Sequence, residues 1–163
     1  LNPEALVQRL NYHFTLIGEV IEAEGGIIDK YVGDAVVAVF GAPVPQPDHA
    51  ARALRAALAV QRQLAAEADN PDSFKIRIGL NTGACVVGSI GSEKRLNYTA
   101  IGDAVNVAAR LEAANKDFGT AILCSNATVR AAGPGFRFRE LGPIHVKGRV
   151  EPVAVNEVLG LQS

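Results

Sequence analysis

Residues 27–41 place a glycine and an aspartate between two runs of strand-forming apolar side chains. Side chains alternate between the two faces of a strand, and a Gly-Asp pair between such runs suits a two-residue turn that needs a positive φ at its first position. The segment therefore predicts a β-hairpin with Asp34 projecting from its tip. Lys30 and Asp34 are then either ordinary hairpin residues, one solvated and one turn-forming, or parts of a site that grips a metal ion and a nucleotide.

Helical patterns lie on both sides of this hairpin. Asn2 is followed by a proline and a glutamate, as at the start of many helices, and apolar residues then recur at helical spacing until Gly25. After the hairpin, three prolines predict an extended loop. Asp48 is predicted to cap a second helix that runs to about residue 69.

The second half of the chain alternates short strand patterns with two further helices. Strands are predicted over residues 74–80, 84–90, 96–101, 121–124 and 153–159, with another around the alternating Phe-Arg-Phe-Arg of residues 136–139. Helices are predicted over residues 103–117, closed by Gly119, and over residues 125–132. This order of elements favours an α+β fold with helices on one face of a mainly antiparallel sheet.

The composition is that of one ordinary globular domain. A chain of 163 residues with 48% hydrophobic residues can bury one core, so residues 1–163 are expected to form a single domain. A net charge of −1 and only 6% aromatic residues give no sign of a nucleic-acid surface. The longest apolar run, residues 35–40, is too short to span a membrane, so we expect no membrane contact by this domain.

The cysteines and histidines indicate neither disulfides nor a zinc site. Cys85 and Cys124 both lie in apolar, strand-like surroundings, which is typical of reduced core residues in a cytoplasmic protein. The three histidines are far apart and have no cysteine or histidine at ligand spacing.

A second group of polar residues follows a strand that runs through a glycine into a helix, at residues 98–112. Helix starts attract anions because their free N–H groups and their dipole point outward. Asn106 and Arg110 are four residues apart and share one helix face, whereas Val107 and Leu111 belong to the apolar face. Asn106 and Arg110 are either ordinary solvent-exposed residues or part of a site. The interpretation as a site is favoured by the presence of asparagine, a poor helix former, in the middle of a helix.

The hairpin and the helix carry motifs that occur in order, together with a linking stretch at residues 78–83, a glycine-rich stretch at residues 87–91 and a late Val-Lys-Gly-Arg at residues 146–149. These motifs are Lys30-x-x-Gly33-Asp34 and Thr99-x-x-Gly102-Asp103-x-Val105-Asn106-x-x-x-Arg110. In this combination the chain closely resembles the class III nucleotide cyclase catalytic domain, over essentially its whole length.

The resemblance implies a ferredoxin-like two-layer α+β sandwich and an enzyme that converts ATP into 3′,5′-cyclic AMP and pyrophosphate. The reaction would take place at the interface with a second cyclase domain, in a head-to-tail homodimer. Two divalent cations, Mg²⁺ or Mn²⁺, are expected. The resemblance implies that Asp34 is a metal ligand and that Lys30 and Thr99 recognise the base. It implies that Asn106 orients the ribose and that Arg110 stabilises the transition state. Lys147 would contact the triphosphate, with Arg149 the less favoured candidate.

The base-reading pair favours ATP over GTP as the substrate. A lysine can donate a hydrogen bond to adenine N1, and a threonine hydroxyl can accept one from the 6-amino group. Guanylate-type members of the family usually carry an acidic residue at the position of Lys30.

The chain departs from the family at its start. The family's domain begins with a strand that carries Phe-x-Asp-Ile/Leu, whose aspartate is the first metal ligand, and this chain begins at the helix that follows. We therefore expect the N-terminal strand to be absent from this chain, which would leave a gap beside the sheet. We also expect the chain to be a fragment of a longer cyclase, with at most trace activity of its own. Asp29 does not replace the missing ligand, because it is expected to face away from Lys30 on the opposite side of the strand.

Two other functions compete with an active cyclase. One is a catalytically silent cyclase-like module that binds nucleotide and dimerises, which the missing aspartate favours and the remaining site residues disfavour. The other is an RNA-binding ferredoxin-like domain, which would need aromatic side chains exposed on its central strands. Only three aromatic residues are placed where they could serve that purpose: Tyr98, Phe136 and Phe138.

Overall fold

The computed structural model describes residues 2–42, 44–67, 75–84, 86–90 and 97–162, with the backbone alone in the strands at residues 86–90 and 97–101. The helices are α1 (Pro3–Ala23), α2 (His49–Ala66), α3 (Asp103–Phe118) and α4 (Asn126–Ala132). The strands are β1 (Ile27–Val32), β2 (Ala35–Val39), β3 (Ile78–Leu80), β4 (Val86–Ile90), β5 (Asn97–Ile101), β6 (Ile122–Ser125), β7 (Phe136–Ile144) and β8 (Val153–Leu161).

The first and third helices begin and end as the sequence predicts. The Asn2 side chain accepts a hydrogen bond of 2.7 Å from the Ala5 N–H, which satisfies one of the free donors at the start of α1. Gly119 closes α3 in the left-handed conformation, with φ at 67°. None of the helices in the described ranges is both long enough and apolar enough to cross a bilayer.

The predicted side-chain cap of α2 is wrong. Asp48 directly precedes the helix, but its carboxylate makes no hydrogen bond to the backbone of the first turn. Instead, Arg52 Nε donates to Asp48 Oδ1 at 2.8 Å, and this bond holds the pKa of Asp48 below its ordinary value. The carboxylate thus pairs with the next turn of the helix rather than with the backbone of the first turn.

The described strands form three hydrogen-bonded groups. β1 pairs with β2 and β4 pairs with β5, both antiparallel, and the largest group has the order β3-β6-β8-β7. Within it only β3 and β6 are parallel. β1 lies beside β5, but no ladder joins the two in the described strands. The α+β class with mainly antiparallel strands is confirmed.

Helices cover both faces of the four-stranded group, where the sequence pattern predicts helices on one face. β6 is buried along its whole length. Ile122 and Cys124 pack with Leu54 of α2, while Leu123 between them packs with Leu111 of α3. Neighbouring residues of a strand point to opposite faces, so α2 and α3 lie on opposite sides. A strand that is apolar on both faces needs cover on both.

The hairpin of β1 and β2 has the predicted turn and an irregularity that was not predicted. Gly33 has φ at 62°, and Asp34 is exposed beside it at the tip. The register passes from Ile28 opposite Ala38 directly to Lys30 opposite Val37. Asp29 is therefore an extra residue, and β1 contains a β-bulge at this position.

α3 lies unusually close to β3 at Gly79. A Cβ atom added at Gly79 would overlap the backbone of Ala108 and Glu112 on α3. The contact is reinforced by Asn115, a buried residue whose side-chain amide donates to the carbonyl of Ile78 at 2.9 Å. A glycine at this point of β3 is thus a condition for the position of α3.

Cys124 behaves as the core residue that the sequence predicts. Its thiol is buried and forms no disulfide. Burial raises the pKa of Cys124 to about 12, so the thiol stays protonated and unreactive at neutral pH. Cys85 lies outside the described residues.

We predict that Gly79→Ala lowers the free energy of unfolding by about 2–3 kcal/mol, because the methyl group must displace helix backbone. The matched control is Gly18→Ala in the interior of α1, where nothing lies within 4 Å of the added Cβ atom. That change should raise the free energy of unfolding by about 0.5–1 kcal/mol, since alanine is the better helix former. Urea unfolding of both variants measures the two effects, and equal effects would contradict the close contact.

Candidate active site

The start of α3 is built by a glycine that no other residue replaces easily. Gly102 has φ at 144°, a conformation that L side chains rarely adopt, and it turns the chain from β5 into the helix. The N–H groups of Val105 and Asn106 both bond to the Gly102 carbonyl. This geometry leaves the first turn of α3 open toward solvent, with its positive dipole end outward.

α3 presents the two faces that the sequence predicts. Val107 and Leu111 are 1% and 0% exposed and belong to the core, whereas Asn106 and Arg110 are exposed on the other side. The core contacts therefore fix the rotation of the helix about its axis. That rotation decides where Asn106 points.

A cavity of about 550 Å³, wide open to the surface, lies at the start of α3. It brings together three of the predicted site residues from three separate segments: Lys30 of β1, Asn106 of α3 and Lys147 of the loop between β7 and β8. The remaining lining residues belong to the same turn and loop: Gly102, Asp103, Val105 and Gly148.

The charges around this cavity suit an anion. Lys147 is exposed, and no ion pair in the described part of the chain engages it. Asp103 is the acidic residue of the lining, but its carboxylate is bound by Arg149 at 2.6 Å. Two lysines, of which Lys30 also lies 3.5 Å from Asp29, and a helix start therefore border the same space.

Asp103 and Arg149 form an ion pair that the sequence did not predict. The pair ties the first residue of α3 to the loop that carries Lys147, across 46 positions of the chain. Helix-start aspartates and loop arginines are both common, so no spacing signal connects them. Lys147 lines the cavity, whereas the guanidinium of Arg149 is paired with Asp103.

The expected direction of Asp29 is wrong. On a regular strand Asp29 and Lys30 would point to opposite faces, yet Lys30 Nζ lies 3.5 Å from Asp29 Oδ2. The bulge in β1 breaks the alternation at this position and permits the contact.

Two predicted site residues whose side chains the structure describes, Asp34 and Arg110, do not line the cavity. Asp34 is exposed at the tip of the hairpin, and Arg110 is exposed one turn beyond Asn106 on α3. Thr99 lies on β5, opposite Gly88 of β4, and its side chain is outside the described part of the structure. The backbone of β5 nevertheless contacts both α3 and β1.

The described residues offer one candidate metal ligand rather than a cage. No three histidine, cysteine, aspartate or glutamate side chains within the described ranges are grouped so that they could hold an ion. Mg²⁺ is commonly held by one or two carboxylates together with substrate phosphates. The exposed carboxylate of Asp34 fits that arrangement as a single ligand for a cation that arrives with a nucleotide.

The fold is that of cyclase catalytic domains. The adenylyl cyclase CyaB from P. aeruginosa superposes with a TM-score of 0.85 at 34% identity, covering 98% of this chain and 84% of that one. The guanylate cyclase domain of a protein from Catenaria anguillulae, solved in complex with GTP, superposes with a TM-score of 0.82 at 27% identity, covering 99% of this chain and 87% of that one.

The sequence comparisons define the family. The family model for the adenylate and guanylate cyclase catalytic domain matches residues 1–157, so the chain belongs to this family. Adenylate cyclase 1 of Rhizobium meliloti is 44% identical over 165 residues, which covers 98% of the chain. The chain spans 25% of the length of that relative, and 8% and 33% of the length of two other adenylate cyclases.

We predict that the Asp103–Arg149 pair couples α3 to the following loop by about 0.5–1 kcal/mol, because both side chains are partly exposed and such pairs are weak. Asp103→Asn, Arg149→Gln and the double variant form a thermodynamic cycle that urea unfolding can measure. Strictly additive effects would show that the 2.6 Å contact contributes nothing.

Proposed function

We propose that this domain converts ATP into 3′,5′-cyclic AMP and pyrophosphate, at the interface of two cyclase domains. The observation that carries the proposal is the cavity at the start of α3, where Lys30, Asn106 and Lys147 meet. Family membership and a 44% identical adenylate cyclase support it. Because the curated relatives are much longer than this chain, we propose that the active form is a longer gene product.

Lys30 and Thr99 are proposed to choose the base. Lys30 stands in the cavity wall, and its ammonium can donate to adenine N1. The hydroxyl of Thr99 would accept from the 6-amino group. Guanine carries a hydrogen on N1, so the same lysine would meet a donor there instead of an acceptor.

The other residues act on the ribose and the phosphates. Lys147 and the first turn of α3 would bind the triphosphate as an anion. Asn106 would orient the ribose so that its 3′-oxygen lies in line with the α-phosphorus. As that oxygen forms its bond and the bond to pyrophosphate breaks, the guanidinium of Arg110 would take up charge on the transferring phosphoryl group.

Asp34 is proposed to serve the second site of the dimer. It is close to Lys30 in sequence but does not line the cavity that contains Lys30, which supports such a division. A divalent cation, Mg²⁺ or Mn²⁺, would neutralise phosphate charge and activate the 3′-hydroxyl when bound. Asp34 would hold it together with the nucleotide and with residues beyond those described.

The direct test compares the full gene product with the polypeptide of residues 1–163. Each is purified and incubated with ATP and Mg²⁺ or Mn²⁺, and cyclic AMP is separated by chromatography. We expect robust formation by the full gene product, at most trace formation by residues 1–163, and a specific activity that falls on dilution. Asp34→Asn should abolish formation in the full gene product.

Different results would change different parts of the proposal. A full gene product that binds a non-hydrolysable ATP analogue in calorimetry but makes no cyclic AMP would instead be a silent nucleotide-binding module. Robust formation by residues 1–163 would show that no further metal ligand is needed.

We predict that Arg110→Ala in the full gene product lowers kcat by about 10²–10³-fold, because its contact strengthens only in the transition state. KM for ATP should change by no more than about threefold. Arg62→Ala removes an exposed arginine from α2 and serves as the matched control, with unchanged kcat. A higher KM at unchanged kcat would assign Arg110 to ground-state binding.

A further inference from the structure

The bulge in β1 turns a carboxylate toward the cavity wall. The strand register accommodates Asp29 as an extra residue between Ile28 and Lys30. Bulges bend a strand locally and can re-aim a side chain, and they are frequent next to active sites. In this hairpin the re-aimed side chain is the immediate neighbour of the lysine that lines the cavity.

The two side chains differ sharply in exposure. That of Asp29 is 2% exposed, whereas that of Lys30 is 42% exposed, and their charged atoms are 3.5 Å apart. An ionised carboxylate is costly to bury unless cations or donors compensate it. The ammonium of Lys30 is thus held between a fixed anion beneath the surface and the open cavity.

A lysine side chain needs such a restraint to read a base. It is a flexible stem with a strongly hydrated charge, and its ammonium can rotate three donors freely. One donor directed to the carboxylate of Asp29 leaves the other two for a ligand in the cavity. The position of the ammonium then no longer depends on the ligand alone.

We propose that Asp29 is a positioning residue that holds Lys30 for discrimination between adenine and guanine nucleotides. The proposal rests on the proposed function of the same cavity, since Lys30 contacts the base only there. It assigns to Asp29 no contact with substrate and no part in the bond-breaking step. Loss of the Asp29 charge should therefore affect base selection and KM more than kcat.

The test uses the full gene product and the isosteric variant Asp29→Asn. We expect the ratio of kcat/KM for ATP to that for GTP to fall about tenfold, as for loss of one charge-assisted contact, with kcat for ATP nearly unchanged. Asp117→Asn makes the same chemical change at an exposed position of α3 and should leave the ratio unaltered. Lys30→Glu with Thr99→Cys, which should shift preference toward GTP, is the positive control.

Repeating the measurement in a Lys30→Ala variant distinguishes a positioning role of Asp29 from a merely structural one. In Lys30→Ala, the further change Asp29→Asn should no longer alter the ATP to GTP ratio, because Asp29 acts through the lysine. An undiminished effect in that background, or an unchanged ratio in the single variant, overturns the proposal. If Asp29→Asn does not fold, Asp29→Glu moves the carboxylate by one methylene and should also lower the ratio; an unchanged ratio counts against the inference.

Measurements on the unsubstituted full gene product distinguish failure of this proposal from failure of the proposed function. If that product makes neither cyclic AMP nor cyclic GMP, the proposed function fails, and Asp29 is then judged by binding. Calorimetry with non-hydrolysable ATP and GTP analogues should show that Asp29→Asn weakens selectivity for the adenine analogue. Equal selectivity of parent and variant would overturn the role of Asp29.

Discussion

The close contact between α3 and β3 at Gly79 is the constraint on which the site depends. Backbone meets backbone there, and the side-chain amide of Asn115 bonds β3 to the far end of the helix. Val107 and Leu111 are buried in the core, so lifting the helix from the sheet or turning it about its axis would break these contacts. Its first turn, which forms one wall of the cavity, therefore has a fixed position relative to the strands.

Local signals in the sequence predict much of this arrangement. Asn2 and Gly119 act at helix ends through their own backbone neighbourhood, and Gly33 forms a turn whose geometry few other residues accept. The exposed face of α3 follows from the spacing of Asn106 and Arg110. Such features need only a few consecutive residues, so periodicity and turn chemistry are sufficient to find them.

Features that depend on distant residues could not be predicted in the same way. The bond from Arg149 to Asp103 and the bulge at Asp29 are decided by how whole elements meet. Asp48 could equally have capped α2 or paired with Arg52, and the sequence contains both partners. The cover on both faces of β6 did have a signal, because Ala-Ile-Leu-Cys at residues 121–124 is a continuous apolar run rather than an alternating one.

The hairpin combines a small hydrogen-bonded unit with two charged residues that we propose to belong to the site, Lys30 and Asp34. A two-stranded hairpin has little stability of its own, and in the described strands no ladder connects it to the other sheets. Its position rests on side-chain packing, such as the contact between Phe14 and Tyr31, whose ring centroids are 4.9 Å apart. A small tilt of the hairpin against α1 would move Lys30 and Asp34 together, because both residues belong to the same hairpin. Motion transmitted through α1 would thus reach the cavity wall at Lys30 and the exposed tip at Asp34 at the same moment.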